Sequence, residues 1–133
     1  MRAEHRLTLS TGLHAPSHAR AWVRARTPQL PHNVREDALL MISELVTNAV
    51  RHGSTDVELS LCVLPDRVRI AVYDGSDELP VVPSANPSVD RPTGRGLLIV
   101  AATASDWGVS RAEGRTGKTV WVELPVIVAH APS

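Results

Sequence analysis

The chain has 133 residues, 43% of them hydrophobic, with 14 basic and 14 acidic residues and a formal net charge of +0. This is the size of one domain that can bury its own core, and the composition excludes an intrinsically disordered chain. The charge balance gives no electrostatic grip on nucleic acid or on an anionic membrane, and a single cysteine, Cys62, excludes an intrachain disulfide or a cysteine zinc cluster.

The opening MRAEHRLTLS has no apolar signal core, and no apolar run reaches membrane-spanning length, so the cytoplasm is the expected location. RLTL (6–9) alternates polar and apolar residues, as a short strand does. APSHARAWVRARTPQL (15–30) reads as a helix, with Pro16 in its first turn and Pro28 near its end. LPHNVREDALLMISELVTNAVRHG (30–53) is a long helix stopped by Gly53. DVELSLCV (56–63) alternates, with Val57, Leu59, Leu61 and Val63 on one face. RVRIAVYD (67–74) alternates again, with Val68, Ile70 and Val72 on its apolar face, and a turn at Pro65-Asp66 makes the pair a hairpin. Residues 75–96 read as a long loop carrying Pro80, Pro83, Pro87 and Pro92. A loop of that length without secondary structure is usually functional or mobile. GLLIVAATAS (96–105) reads as an apolar helix, DWGVSRAEG (106–114) as a short strand and turn, and GKTVWVELP (117–125) as the last strand, before a tail at 126–133.

Clean alternation, rather than continuous apolar strands, predicts a sheet with one covered and one wet face. The expected fold is therefore α/β (α+β), a two-layer sandwich. A mainly antiparallel or mixed sheet of about five strands is covered on one face by about three helices, in one domain of residues 1–133.

Four features carry candidate chemistry. In ELVTNAVRHG (44–53), Glu44, Asn48 and His52 recur every fourth residue and line one side of a helix, within a polar face opposite the stripe of Ala38, Leu39, Ile42, Leu45, Val46, Ala49 and Val50. Such a line is common on amphipathic helices, so spacing alone favours a wet surface over a site wall. In VYDGS (72–76), strand parity puts Asp74 on the side of Val68, Ile70 and Val72. A carboxylate there needs a partner, either in the adjoining turn or in an amino group such as that of adenine. In TGRGLLIV (93–100), Gly94 and Gly96 precede an apolar helix, where backbone amides can meet phosphate or simply let the chain turn. GRTGKT (114–119) is not a P-loop: the first glycine would fall at Ala112, and TVWVEL is strand-like where a helix is required. His14 and His18 have helical metal-ligand spacing, but no third ligand accompanies them.

The order of these features is more specific than any one of them. Glu-x-x-x-Asn on a helix, an Asp at a strand end, a long loop, Gly-x-Gly before a helix and a final Gly-Lys-Thr strand resemble the GHKL (Bergerat-fold) ATP-binding domain. ELVTNAVRHG, VYDGS, GRGLLIV, DWGV and GKTVWVEL look like the bacterial anti-sigma-factor serine/threonine kinases and their stand-alone relatives. The resemblance spans about residues 5 to 125. It implies that Asn48 coordinates Mg²⁺ and that Glu44 is the general base taking a proton from an attacking serine. It implies further that Asp74 accepts from the adenine amino group and that Gly94, Arg95, Gly96 and Leu97 offer backbone amides to phosphate. Residues 75–93 would form the ATP lid, and Thr119 would assist from the last strand. The chain departs from the superfamily's Asp-x-Gly-x-Gly, reading Asp74-Gly75-Ser76-Asp77-Glu78.

The function implied is an ATP-binding anti-sigma regulator, with Mg²⁺, that binds a sigma factor and phosphorylates a serine of an anti-anti-sigma antagonist. The resemblance also suggests a homodimer, with no direct contact to nucleic acid or membrane. Two alternatives belong to other classes: a nucleotide-dependent partner-binding module without phosphoryl transfer, and an interaction domain that no longer binds nucleotide.

Overall fold

The computed structural model describes residues 3–10, 12–51, 56–76, 104–111, 114 and 116–126. In chain order these form β1 (Ala3–Ser10), α1 (Ala15–Arg26), α2 (His32–Arg51), β2 (Asp56–Val63), β3 (Arg67–Asp74), β4 (Asp106–Arg111) and β5 (Lys118–Pro125). The strands make one five-stranded sheet in the order β1-β2-β3-β5-β4, and every pairing is antiparallel. The expected α+β sandwich is present, with two helices among the described residues. The helix expected at 96–105 falls almost wholly outside them, and so do the 75–93 lid, apart from Gly75 and Ser76, and the 126–133 tail, apart from Val126.

The register explains why one face is dry. Leu7 pairs with Leu59, Leu59 with Val72, and Val72 with Val120; one rung along, Leu61 pairs with Ile70 and Ile70 with Val122. Each rung places branched side chains side by side on the same face, the arrangement that stabilises a sheet. The β2–β3 hairpin closes where expected, with the Leu64 amide donating to the Arg67 carbonyl at 2.8 Å across Pro65-Asp66.

α2 lies over β3 and β5, and α1 packs on α2 and touches β1. Val34, Ala38, Leu39, Met41, Ile42, Leu45, Val46 and Ala49 are the buried apolar residues of α2, and Ala15, Ala19, Trp22 and Val23 those of α1. Burying one Leu or Ile side chain contributes about 1.5–3 kcal/mol, so this shared layer between helices and sheet is the main source of stability. α1 ends at Arg26, four residues before the sequence pattern suggests. The cause is local: Pro28 disfavours helical geometry at the preceding residue, and Thr27 leaves it with φ −128 and ψ 39. The Thr27 hydroxyl then donates to the Val23 carbonyl at 2.8 Å, satisfying a buried polar side chain at the helix end.

The other face of the sheet is polar. Arg69 stacks over the Trp121 ring at 4.4 Å, and Glu123 pairs with Arg67 at 3.3 Å and Arg69 at 3.6 Å.

Candidate active site

Two of the expected site residues are buried on the inner side of the sandwich. Asn48 is 7% exposed, although the sequence pattern assigns it to the polar face of its helix. It lies three residues after Leu45 and seven after Met41, both buried, so it shares their side of α2. Its side-chain amide makes no hydrogen bond to another described residue, and no described side-chain polar atom is both fully buried and unpaired, so the amide opens at the margin of the core. An amide at the margin of a core, turned toward the buried side, can offer its oxygen to a ligand. Glu44 lies one turn earlier, four residues before Asn48, and is half-buried. α2 thus carries a carboxylate and an amide along the margin of its buried stripe. His52 and residues Gly94, Arg95, Gly96 and Leu97 fall outside the described residues.

Asp74 ends β3 on the inner face, 1% exposed, as strand parity predicts. The partner it requires is Lys118, whose Nζ lies 3.0 Å from Asp74 Oδ1. The backbone amide of Ser76 donates to the same oxygen at 2.9 Å, closing the turn after the strand. The pair is set by sheet register. Val57, Asp74, Lys118 and Arg111 follow one another across β2, β3, β5 and β4, so Asp74 has an apolar neighbour on one side and the ammonium on the other. With side-chain exposures of 1% for Lys118 and 2% for Asp74, this is a buried ion pair.

Lys118 is the functional candidate the sequence reading passes over in favour of Thr119. Its signal is nonetheless present: Lys118, Val120, Val122 and Leu124 share one parity on β5, and all are buried. Thr119 points to the opposite face, where its register partner is Tyr73. It lines a concavity of about 380 Å³ there with Arg6, Glu58, Ser60, Arg69 and Tyr73. That hollow is on the far side of the sheet from Asn48 and Asp74, and its mixed charges identify no ligand. We place the candidate site on the inner side, where Asn48 and the Asp74–Lys118 pair are buried.

Gly117 makes the approach of β5 to β3 feasible. Its φ is +114, and a Cβ there would collide with the Asp74 carbonyl oxygen and the Tyr73 ring. The Tyr73 hydroxyl donates to the Thr116 carbonyl at 2.7 Å and fixes the chain just before Lys118. The residues present fit a nucleotide with a divalent cation. Asn48 offers one oxygen ligand, which suits Mg²⁺ because that ion keeps several waters and phosphate oxygens. Asp74 offers a fixed, acceptor-only carboxylate suited to an amino group.

Comparison with known proteins bears on the family and the fold. No curated protein gives a significant match. Among solved structures, the chain is similar to the RsbU and RsbW domains of Rv1364c from Mycobacterium tuberculosis, with a TM-score of 0.69 at 23% identity. The match covers 98% of this chain and 35% of that one, so the chain spans about a third of the protein it resembles in fold. The histidine kinase-like ATPase domain family matches over residues 12–124, which takes in α1, α2, β2, β3, β4 and all of β5 but its last residue. The chain therefore belongs to the histidine kinase-like ATPase domain family.

Proposed function

We propose that this protein is an ATP-binding anti-sigma regulatory factor that binds a sigma factor and phosphorylates a serine of an anti-anti-sigma antagonist. The observation that carries the reading is the pair on α2: Asn48, buried and without a side-chain hydrogen bond among the described residues, and Glu44 one turn away and half-buried. Family membership supports nucleotide binding. The motifs ELVTNAVRHG, VYDGS and GKTVWVEL support the anti-sigma branch, as does the fold shared with a chain that contains RsbU and RsbW domains.

ATP with Mg²⁺ would supply the phosphoryl group and spread its developing charge. The protein's own residues bind, orient and move a proton. Asn48 would hold the cation through its side-chain oxygen. Asp74 would accept from the adenine amino group, and the backbone amides of Gly94, Arg95, Gly96 and Leu97 would meet phosphate. Glu44 would take the proton from the incoming serine hydroxyl as that oxygen attacks. Thr119, on the outer face, has no direct route to the base beside Asp74, so its contribution would be to fix β5 next to Tyr73.

The test is transfer of label from γ-labelled ATP to purified candidate antagonists encoded in the same genome. Label on one serine of one antagonist supports the proposal. Saturable ATP binding with no transfer to any of them would leave a partner-binding module that switches on nucleotide without chemistry.

A further inference from the structure

We propose that Lys118 is a positioning and specificity-determining residue of the base site: it fixes the Asp74 carboxylate so that the site accepts a 6-amino purine and rejects a 6-oxo one. This rests on the nucleotide reading above and adds to it the residue that makes Asp74 selective.

The geometry carries the argument. Among the described residues, the two hydrogen bonds to the Asp74 side chain, from Lys118 Nζ at 3.0 Å and from the Ser76 amide at 2.9 Å, go to Oδ1. Two donors on one oxygen stop the carboxylate from turning and leave Oδ2 as the oxygen for a ligand. The ammonium also supplies a counter-charge 3.0 Å from a carboxylate with 2% side-chain exposure, and a carboxylate group so paired offers a ligand acceptor oxygens only. An acceptor-only group in dry surroundings pairs with an exocyclic amino group. It meets a 6-oxo oxygen as lone pair against lone pair, with no water to relieve the mismatch. Lys118 works through Asp74 and need not touch the base: its side chain is 1% exposed and its ammonium sits against the carboxylate. Val57, the other cross-strand neighbour of Asp74, is fully buried and offers no substitute donor. The position is also costly to fill with lysine, since an ammonium is rarely buried unless paired, and a valine at this parity would continue the row of Val120 and Val122.

The experiment measures binding of ATP and of inosine triphosphate, each with Mg²⁺, to the wild type and to Lys118→Met and Lys118→Gln. Inosine replaces the 6-amino group by a 6-oxo group and places a proton on the adjacent ring nitrogen. Wild type should prefer ATP strongly. Lys118→Met, which removes the donor, should lower the ATP-to-inosine ratio by about tenfold or more, and Lys118→Gln, which keeps a neutral donor, should lower it less. A purely structural lysine would weaken both nucleotides alike and leave the ratio unchanged. A folded Lys118→Met with a ratio within twofold of wild type overturns the inference while leaving nucleotide binding intact, as does a wild type that binds both nucleotides equally. If Lys118→Met does not fold, Lys118→Gln decides: a ratio lowered threefold or more supports the inference, and an unchanged ratio overturns it. A wild type that binds neither nucleotide refutes the nucleotide reading itself, and the inference falls with it.

Discussion

Replacing Lys118 by methionine should destabilise the folded protein severely, even without any ligand. The two side chains share length and hydrophobic stem, so packing is largely kept while the ammonium is lost. Among the described residues, Asp74 Oδ1 would then retain only the Ser76 amide, in a setting where the carboxylate is 2% exposed. Breaking a buried pair in this way costs about 3–5 kcal/mol, because the remaining charge is left uncompensated. Against a typical domain stability of about 5–15 kcal/mol, that is a fifth of the total or more. At this chain length the melting temperature should fall by roughly 10–20 °C. Urea unfolding followed by circular dichroism, in nucleotide-free buffer, measures the loss by linear extrapolation. The double variant Asp74→Asn/Lys118→Met leaves no buried charge behind and should be more stable than Lys118→Met alone, giving a coupling energy of about 2 kcal/mol or more in a double-mutant cycle. A single variant within about 1 kcal/mol of wild type, or a strictly additive cycle, would refute the reasoning: the pair would then be as well served by water as by itself.

Glu44→Ala should slow phosphoryl transfer by about 10²–10⁴-fold while leaving ATP affinity largely intact; transfer at the normal rate by that variant would remove Glu44 from the role of base. Gly117→Ala forces a side chain into φ +114 and against the Asp74 carbonyl, so it should cost at least about 1–3 kcal/mol in thermal or urea unfolding; an unchanged midpoint would contradict the close approach of β5 to β3. Leu61→Ala, in the fully buried rung opposite Ile70, should cost about 2–5 kcal/mol without altering the ratio of ATP to inosine triphosphate affinities. A ratio that moves with this distant change would mean that selectivity tracks general stability rather than Asp74.

Much of the fold was legible because the strands obey period two. β2 and β3 have the bounds the alternation marks, and the Pro65-Asp66 turn joins them as turn chemistry suggests. β1 runs from Ala3 to Ser10, longer than its legible segment at 6–9, because pairing continues to Ala3 and Val63 through residues with no apolar signal of their own. The site was legible unevenly. Asp74 could be placed by parity, and its need for a partner followed from burial alone. Asn48 could not be placed by polarity, since whether an amide at the margin of an apolar stripe turns inward is decided by what packs over that margin. Lys118 shows two rules in conflict. Lysine is almost always exposed, whereas β5 parity points position 118 to the core; parity prevailed because a carboxylate waits at the adjacent register position.

The central claim is that Asn48 and Asp74 belong to a nucleotide site, and titration calorimetry of the wild type and Asn48→Ala with ATP, each with and without Mg²⁺, tests it most directly. The account predicts saturable, Mg²⁺-enhanced ATP binding by the wild type, and a variant that stays folded but loses the Mg²⁺ enhancement. No heat of binding from the folded wild type, or an Asn48→Ala variant that binds Mg²⁺ and ATP just as well, would contradict it.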